Sequence, residues 1–194
     1  MMTKDYYNQY ADEFTQATLH VDMESLYQPF LAELSEGAYI LDIGCGSGRD
    51  SLALKNKGYK VEAIDYSEEL VRRAIQYTGI QVKLQSFYEI EAHEIYDGIW
   101  ACASLLHCER DRLTEVIGKL IKALKPNGVL YMSFKYGESD REKDGRKFTD
   151  LNETQAEGLL EQFDHVQQIQ QWITVDLRSD RQEQWLNLLW KKHA

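Results

Sequence analysis

A glycine-rich turn between an apolar strand and a helix is the feature that most constrains the fold of this chain. The apolar run Tyr39–Ile43 leads into Gly-Cys-Gly-Ser-Gly at positions 44–48, and a helix is predicted over Asp50–Lys57. Glycines let a ligand approach bare backbone, and the N-terminus of a helix offers unpaired N–H groups with a partial positive charge. This arrangement is typical of a parallel sheet that binds a ligand at the carboxyl ends of its strands.

The same alternation of strand and helix continues beyond the glycine turn. Apolar runs that predict strands alternate with amphipathic runs that predict helices, and Gly58, Gly79 and Pro126 mark turns between them. The predicted strands are Lys60–Ile64, Gln81–Gln85, Asp97–Ala101 and Val129–Phe134, and the predicted helices are Ser67–Tyr77 and Arg110–Leu124. Alternation of this kind predicts an α/β fold, with a parallel sheet and helices on both of its faces.

The two ends of the chain follow other patterns. Amphipathic helices are predicted over Tyr6–Ala17 and Met23–Leu34, where Tyr6, Tyr10 and Phe14 recur every four residues. At the other end a helix is predicted, followed by two strands that form an antiparallel pair at the sheet edge, although residues 185–190 would also suit a helix. These last three elements are Thr154–Gln162, Val166–Val175 and Gln184–Trp190.

No linker or repeat divides the chain, so we expect one domain over residues 1–194. Residues 1–35 would form a helical lid or flank, and residues 36–194 would form the α/β core. The charged segment Lys135–Asp150, which follows the last parallel strand, is expected to be mostly a solvated loop.

Composition excludes several classes of partner. The chain of 194 residues carries 22 Lys and Arg against 32 Asp and Glu, and a net charge of -10 opposes binding to nucleic acid. No apolar run approaches the roughly 20 residues of a membrane helix, and residues 1–7 contain no apolar signal segment, so a cytoplasmic protein is expected. Three cysteines without Cys-x-x-Cys spacing predict neither disulfides nor a metal site.

The spacing of the glycines separates the candidate ligands. A dinucleotide fingerprint needs its third glycine three residues after the second, where this chain has Arg49. A Walker-type phosphate loop needs Gly-Lys-Ser/Thr, but the chain has Gly48, Arg49 and Asp50. Both observations argue against NAD and ATP, and they leave an amino-acid-bearing cofactor.

The segment Asp42–Gly48 resembles the first motif of class I S-adenosylmethionine-dependent methyltransferases. Other segments agree in order: Val61–Ser67 places an acid at a strand end, Tyr96–Ala101 resembles the fourth strand of that family, and Leu124–Gly128 resembles the turn before the fifth. The resemblance implies a Rossmann-like, doubly wound and mostly parallel seven-stranded sheet with an antiparallel edge pair. Gly-Arg-Asp at 48–50 and residues 144–148 look most like small-molecule methyltransferases of the tellurite-resistance type.

The resemblance also implies which residues bind the cofactor. The glycine loop would run alongside the methionine end of the cofactor. Asp42 would orient the loop and the ammonium group, and Asp65 would bind the ribose. Tyr66, Ser86 and Phe87 would border the adenine, the Ala101 carbonyl would meet the ammonium group, and Tyr6 and Tyr10 would form a lid. The full predicted set is Tyr6, Tyr10, Asp42, Gly44, Cys45, Gly46, Gly48, Asp65, Tyr66, Ser67, Ser86, Phe87 and Ala101. Asp65 would also suit a turn at a strand end, and Ser86 would suit a helix cap.

Three residues are predicted to contact the methyl acceptor. His107 follows the fourth strand and could act as a general base, or could be a loop histidine bonded to backbone or water. Lys135 and Arg146 are placed at a small anionic or zwitterionic acceptor. The expected activity is in-line methyl transfer by a monomer or homodimer. The alternatives are a non-catalytic S-adenosylmethionine-binding protein and a methyltransferase that acts on a protein side chain.

Overall fold

The structure, a computed structural model, describes residues 2–194. Its helices are α1 (Thr3–Gln9), α2 (Ala11–Thr18), α3 (Glu24–Leu31), α4 (Arg49–Asn56), α5 (Glu68–Thr78), α6 (Leu113–Ala123) and α7 (Glu153–Leu160). Its strands are β1 (Tyr39–Ile43), β2 (Lys60–Asp65), β3 (Val82–Leu84), β4 (Tyr96–Ala101), β5 (Leu124–Lys135), β6 (Asp140–Lys143), β7 (Arg146–Thr149), β8 (Val166–Val175) and β9 (Gln184–Lys192). Over these residues no helix has the length and apolar character needed to cross a bilayer.

A seven-stranded sheet organises the chain. Its strand order is β3-β2-β1-β4-β5-β9-β8, in which the first five strands are parallel and β9 runs antiparallel to both β5 and β8. The order reverses between β1 and β4, so the carboxyl ends of these two strands open a crevice where loops diverge. The predicted Rossmann-like, doubly wound sheet with an antiparallel edge pair is confirmed.

Apolar side chains alternate between the two faces of the sheet. In β4, Ile99 packs into a cluster with the buried face of α6, whereas its neighbour Trp100 packs with Phe30 of α3 and stacks on Tyr131 at 4.0 Å. Each of these side chains is fully buried. Burial on both faces explains why residues 98–101 of β4 and 129–132 of β5 form continuous apolar runs, as is usual for the central strands of such sheets.

The last strand pair resolves an ambiguity of the sequence. Leu186, Leu188 and Trp190 face the cluster that contains α6, while Leu189 faces the opposite cluster. A strand buried on both faces accommodates that run, and β9 pairs with β5 over seven residues. The helix that residues 185–190 would also suit is therefore not formed.

Two segments differ from the expected secondary structure. The predicted helix Tyr6–Ala17 is broken at Tyr10, whose φ of -110° and ψ of 29° separate α1 from α2. The expected solvated loop contains the antiparallel hairpin β6–β7, in which Phe148 is buried against the core. A single inward-facing aromatic residue anchors this hairpin, and a charge-rich sequence does not reveal that anchor.

Candidate functional site

A cavity of about 800 Å³ lies along the carboxyl ends of the parallel strands. One side is formed by the glycine loop after β1, the segment 65–67 after β2 and the segment 85–88 after β3. The other side is formed by residues 102–107 after β4, the β6–β7 hairpin and the ends of β8 and β9. Helix α1 contributes Tyr6 and Tyr7, so the space is covered by the N-terminal segment. Its size is within the range of small-molecule sites.

Each predicted glycine carries a positive φ, but their surroundings differ. A side chain at Gly44 would meet Ser104 Cβ at 2.5 Å, and one at Gly46 would meet the ring of Phe14 at 3.0 Å. At Gly48 the obstacle is Thr78 of α5, at 2.6 Å. Gly44 therefore allows the segment after β4 to approach the loop, Gly46 allows the Phe14 ring to approach it, and both line the cavity, whereas Gly48 allows α4 and α5 to approach each other.

Asp65 is held at the end of β2 by backbone amides. Its carboxylate accepts hydrogen bonds from Gly46 N and Ser67 N, each at 2.9 Å, and thereby joins the glycine loop to the start of α5. Burial raises the pKa of Asp65 to about 6, although these backbone hydrogen bonds lower it. Asp65 therefore lies in the cavity wall with a raised pKa. It also forms the turn at the strand end, which was the alternative interpretation.

Several other residues of the predicted cofactor site line the cavity, and only some of them are held by side-chain hydrogen bonds. Ser67 caps α5 and donates to the Asn8 side chain at 2.6 Å, while Ser86 caps a single 3₁₀ turn by accepting from Tyr88 N at 3.3 Å. Tyr66 is half-exposed, with the Lys4 ammonium 4.9 Å from its ring centroid. Cys45 and Phe87 also lie in the wall. The helix-cap interpretation of Ser86 is therefore compatible with its position at the cavity.

Four predicted residues lie outside the cavity lining, and they are Tyr10, Asp42, Gly48 and Ala101. Asp42 is buried beneath the loop, where its carboxylate accepts from Ser51 Oγ at 2.5 Å and burial raises its pKa. Ala101 is a fully buried strand residue paired with Met132, and the lining begins one residue later, at Cys102. Tyr10 lies at the break between α1 and α2 and packs against Tyr6 with ring centroids 4.7 Å apart.

An ion pair beside the glycine loop was not predicted. Asp50 accepts from Arg49 at 2.7 Å, from Tyr27 Oη at 2.6 Å and from Trp100 Nε1 at 2.9 Å. Burial opposes its ionisation, but the Arg49 guanidinium and these hydrogen bonds hold the pKa of Asp50 below its usual value. Arg49 also donates to the Thr18 carbonyl at 3.2 Å, which ties α2 to the loop. The Gly-Arg-Asp sequence thus links the end of α2 to the start of α4.

His107 lies between α1 and the β6–β7 hairpin. Its Nδ1 is 2.7 Å from the Lys147 carbonyl oxygen, and its Nε2 is 2.9 Å from the hydroxyl of Tyr7. Burial lowers the pKa of His107 to about 4; the bond to the Lys147 carbonyl raises it, and the Arg146 cation lowers it. The bonded loop histidine that was one alternative is therefore observed, and the same ring faces the cavity where a base would be needed.

The two cations predicted for the acceptor differ in their environment. Lys135 donates to Glu183 at 2.5 Å, so its charge is neutralised by a carboxylate of the same wall. Arg146 lies 3.9 Å from the ring centroid of Tyr6 and 5.2 Å from that of Phe148, and its buried Nε has no hydrogen-bond partner. Its carboxylate partner among the described residues is the exposed Asp144, at 3.3 Å, and Arg146 is therefore the better placed of the two for an anion.

Sequence reasoning missed Tyr7 and Phe14 as cavity residues. Their rings pack edge to face at 5.2 Å, and both line the cavity. Tyr7 lies on α1 and Phe14 on α2, so their contact depends on the break at Tyr10, which the four-residue spacing of Tyr6, Tyr10 and Phe14 does not reveal. Over residues 2–194 no cluster of three or more His, Cys, Asp or Glu side chains is arranged to hold a metal ion.

Comparison with known proteins supplies the family context of this geometry. Residues 40–128 match the methyltransferase domain family. The matched residues include the glycine loop, Asp65 and His107. A Bacillus subtilis protein named as methyltransferase YqeM is 29% identical over 144 residues, which are 68% of this chain and 58% of that protein. A ubiquinone biosynthesis O-methyltransferase of Xanthomonas axonopodis is 35% identical over 104 residues, 50% of this chain and 43% of that one. The chain thus spans about half the length of these curated relatives.

Solved structures share the fold over nearly the whole chain. The 1,6-didemethyltoxoflavin-N1-methyltransferase of Burkholderia thailandensis, solved with S-adenosylhomocysteine, has a TM-score of 0.78 at 20% identity and covers 98% of this chain and 85% of its own. The magnesium protoporphyrin IX methyltransferase of Synechocystis, also with S-adenosylhomocysteine, gives 0.77 at 18% identity, with 97% of each chain covered. These similarities show that the chain shares the fold of these solved methyltransferases.

Proposed function

We propose that this chain transfers the methyl group of S-adenosylmethionine to a small acceptor. The observation that carries the proposal is the junction of Gly46 and Asp65, joined by a 2.9 Å hydrogen bond in the wall of the cavity. When bound, the cofactor supplies a reactive sulfonium methyl group. The protein needs mainly to align the acceptor with the methyl carbon and sulfur and to exclude water.

The polar groups of the cavity suit such a cofactor. Asp65 offers carboxylate oxygens to ribose hydroxyls, and the Tyr66 ring offers a flat apolar surface to the adenine. Ser104 Oγ, which is buried in the cavity wall beside Gly44, has no hydrogen-bond partner and is available to a polar ligand. Buried polar atoms normally find a partner, so an unpaired hydroxyl at this position favours a ligand site.

The first test is binding measured by calorimetry. S-adenosylmethionine and S-adenosylhomocysteine should bind, whereas NAD and ATP should not. Asp65→Ala should weaken binding by about 1–3 kcal/mol because ribose hydroxyls would lose their acceptor. Unchanged affinity in this variant would remove Asp65 from the ribose site, and failure of both cofactor forms to bind would refute the proposed function.

Binding of S-adenosylhomocysteine should depend on pH through Asp65. The pKa of about 6 means that part of the carboxyl group is protonated in the free protein near that pH. Ribose hydroxyls donate to the ionised form, so affinity should rise with pH up to about 6 and then level off, with proton release on binding near pH 6. Calorimetry in buffers of different ionisation enthalpy measures this release. Asp65→Asn should abolish it, and equal proton release by that variant would assign it to another group.

The acceptor is proposed to be small and anionic or zwitterionic. Support comes from Arg146, whose guanidinium lines the cavity with its Nε unpaired, while Lys135 is already neutralised by Glu183. The names of curated relatives include O-methyltransferases, which favours a hydroxyl acceptor. The Asp144–Phe148 sequence around Arg146 supports membership of the tellurite-resistance type. In-line transfer to such an acceptor is the mechanism proposed for this site.

Arg146→Ala should raise the KM for an anionic acceptor by about tenfold or more, because a charge-assisted hydrogen bond is lost. A suitable probe is 3,4-dihydroxybenzoate, with formation of S-adenosylhomocysteine as the readout. Added salt should reduce the difference between parent and variant. Arg112→Ala is a control with the same charge change, since Arg112 pairs with Glu115 at the surface, outside the cavity lining. An unchanged KM in Arg146→Ala would show that this cation does not hold the acceptor.

The two alternative functions give different results in the same assays. A non-catalytic S-adenosylmethionine-binding protein would bind the cofactor without turnover of any acceptor. A methyltransferase for protein side chains would label a protein substrate and leave small acids unmodified. The cytoplasmic location, the single domain over residues 1–194 and the monomeric or homodimeric state stay predictions.

A further inference from the structure

A tyrosine of the lid shares a hydrogen bond with the candidate base. The His107 ring contacts the Lys147 carbonyl oxygen through Nδ1, at 2.7 Å, and a carbonyl oxygen can only accept. Nδ1 therefore carries the proton of the neutral ring, and Nε2 is left as an acceptor. The hydroxyl of Tyr7, 2.9 Å away, must donate to it. The cavity wall thus contains a hydroxyl group whose proton already points at a basic nitrogen.

The position of Tyr7 is fixed by contacts of the helix that carries it. On α1, Asn8 accepts from Ser67 Oγ at 2.6 Å, and Lys4 donates to Glu68 at 2.6 Å, so α1 is attached to the start of α5. The ring of Tyr7 packs on Phe14 at 5.2 Å. Helix α1 therefore touches the cofactor side through Ser67, next to Asp65, and the acceptor side through Tyr7.

We propose that Tyr7 is a catalytic residue that relays a proton from the acceptor to His107, an inference that rests on the proposed function. The acceptor's O–H or N–H proton passes to the Tyr7 oxygen as the Tyr7 hydroxyl proton passes to His107 Nε2. The lone pair freed on the acceptor forms the bond to the methyl carbon, and the electron pair of the broken carbon–sulfur bond stays on sulfur. The proton ends on an imidazolium whose Nδ1–H still donates to Lys147.

Arg146 gives this relay its selectivity. Its guanidinium carbon lies 5.9 Å from the Tyr7 ring centroid and opposes positive charge on His107. The other charged group of β7 near His107 is Lys147, whose ammonium is paired with Glu109 at 3.2 Å. An anionic group of the acceptor beside Arg146 would offset that cation, and the pKa of His107 would rise once the substrate is bound. The relay therefore favours acceptors that combine an ionised group with a protonated nucleophile.

The test compares two conservative tyrosine variants with two acceptors. Tyr7→Phe removes the relaying hydroxyl, and Tyr77→Phe, at an exposed tyrosine of α5 outside the cavity lining, is the matched control that should keep parental kcat. With 3,4-dihydroxybenzoate, whose nucleophile must lose a proton, Tyr7→Phe should lower kcat by about 10²-fold with KM changed less than about threefold. With iodide, which has no proton to lose, Tyr7→Phe should match the parent. A Tyr7→Phe variant with normal kcat on the acid, or with equal losses on both acceptors, would overturn the relay.

A second readout does not depend on turnover. In ¹⁵N NMR of histidine-labelled protein with S-adenosylhomocysteine bound, adding 3,4-dihydroxybenzoate should raise the pKa of His107 in the parent. Arg146→Ala should abolish the rise, because that variant lacks the cation that the carboxylate offsets. If the parent binds S-adenosylhomocysteine but its His107 pKa stays fixed, the relay fails while the proposed function stands. Failure to bind S-adenosylhomocysteine at all would instead refute the proposed function.

Discussion

His107→Ala should lower kcat for a hydroxyl acceptor such as 3,4-dihydroxybenzoate by about 10²- to 10⁴-fold, because the site would lose the one histidine among the described residues that line the cavity. The affinity for S-adenosylhomocysteine should stay nearly unchanged, since His107 contacts Tyr7 and Lys147 rather than the glycine loop. Initial rates and calorimetry on the same preparation measure both quantities. The loss should be small for iodide.

His93→Ala is the control for this experiment. His93 is exposed, lies just before β4 at the amino end of the strand, and does not line the cavity. It should keep parental kcat with both acceptors. Parental turnover of the hydroxyl acceptor by His107→Ala would eliminate histidine as the base, and the relay through Tyr7 would fail with it. A parallel loss with iodide would instead indicate that the ring supports the shape of the site.

The second large effect is on stability. Gly44→Ala should lower the free energy of unfolding by about 2–5 kcal/mol, because a side chain at a positive φ is strained and the new Cβ would also meet Ser104 Cβ at 2.5 Å. Both atoms belong to short side chains next to the backbone, so neither can rotate away. Denaturant unfolding followed by circular dichroism measures the change.

Gly58→Ala separates the two causes of this loss. Gly58 also has a positive φ, of 93°, but a side chain there would meet nothing within 4 Å. Gly58→Ala should lower the free energy of unfolding by about 1–2 kcal/mol, which is the cost of the positive φ alone. If the two variants are equally destabilised, the contact between the glycine loop and Ser104 is looser than the structure describes, and the close approach of β1 and β4 would need another explanation.

Local sequence determined the framework of this protein. The strand Tyr39–Ile43 is found with the predicted bounds, and the predicted strand Val166–Val175 is identical to β8. Apolar periodicity and turn residues act over a few positions, so they report elements without knowledge of the rest of the chain. The acid at the end of β2 was indicated instead by the resemblance to class I S-adenosylmethionine-dependent methyltransferases, and β2 does end at Asp65.

Only the tertiary structure decided which side chains share the cavity. Tyr7 and His107 are 100 positions apart, and Phe148 becomes an anchor because the β6–β7 hairpin folds back on the core. Lys135 and Arg146 have the same charge in the sequence, yet Glu183, which directly precedes β9, neutralises the first and leaves the second available. Asp42 and Asp65 likewise both follow apolar strand residues, but Ser51 and burial remove Asp42 from the cavity. Ion pairs and hydrogen bonds of this kind depend on which distant segments of the chain the fold brings into contact. Local periodicity acts over a few residues and carries no information about those contacts.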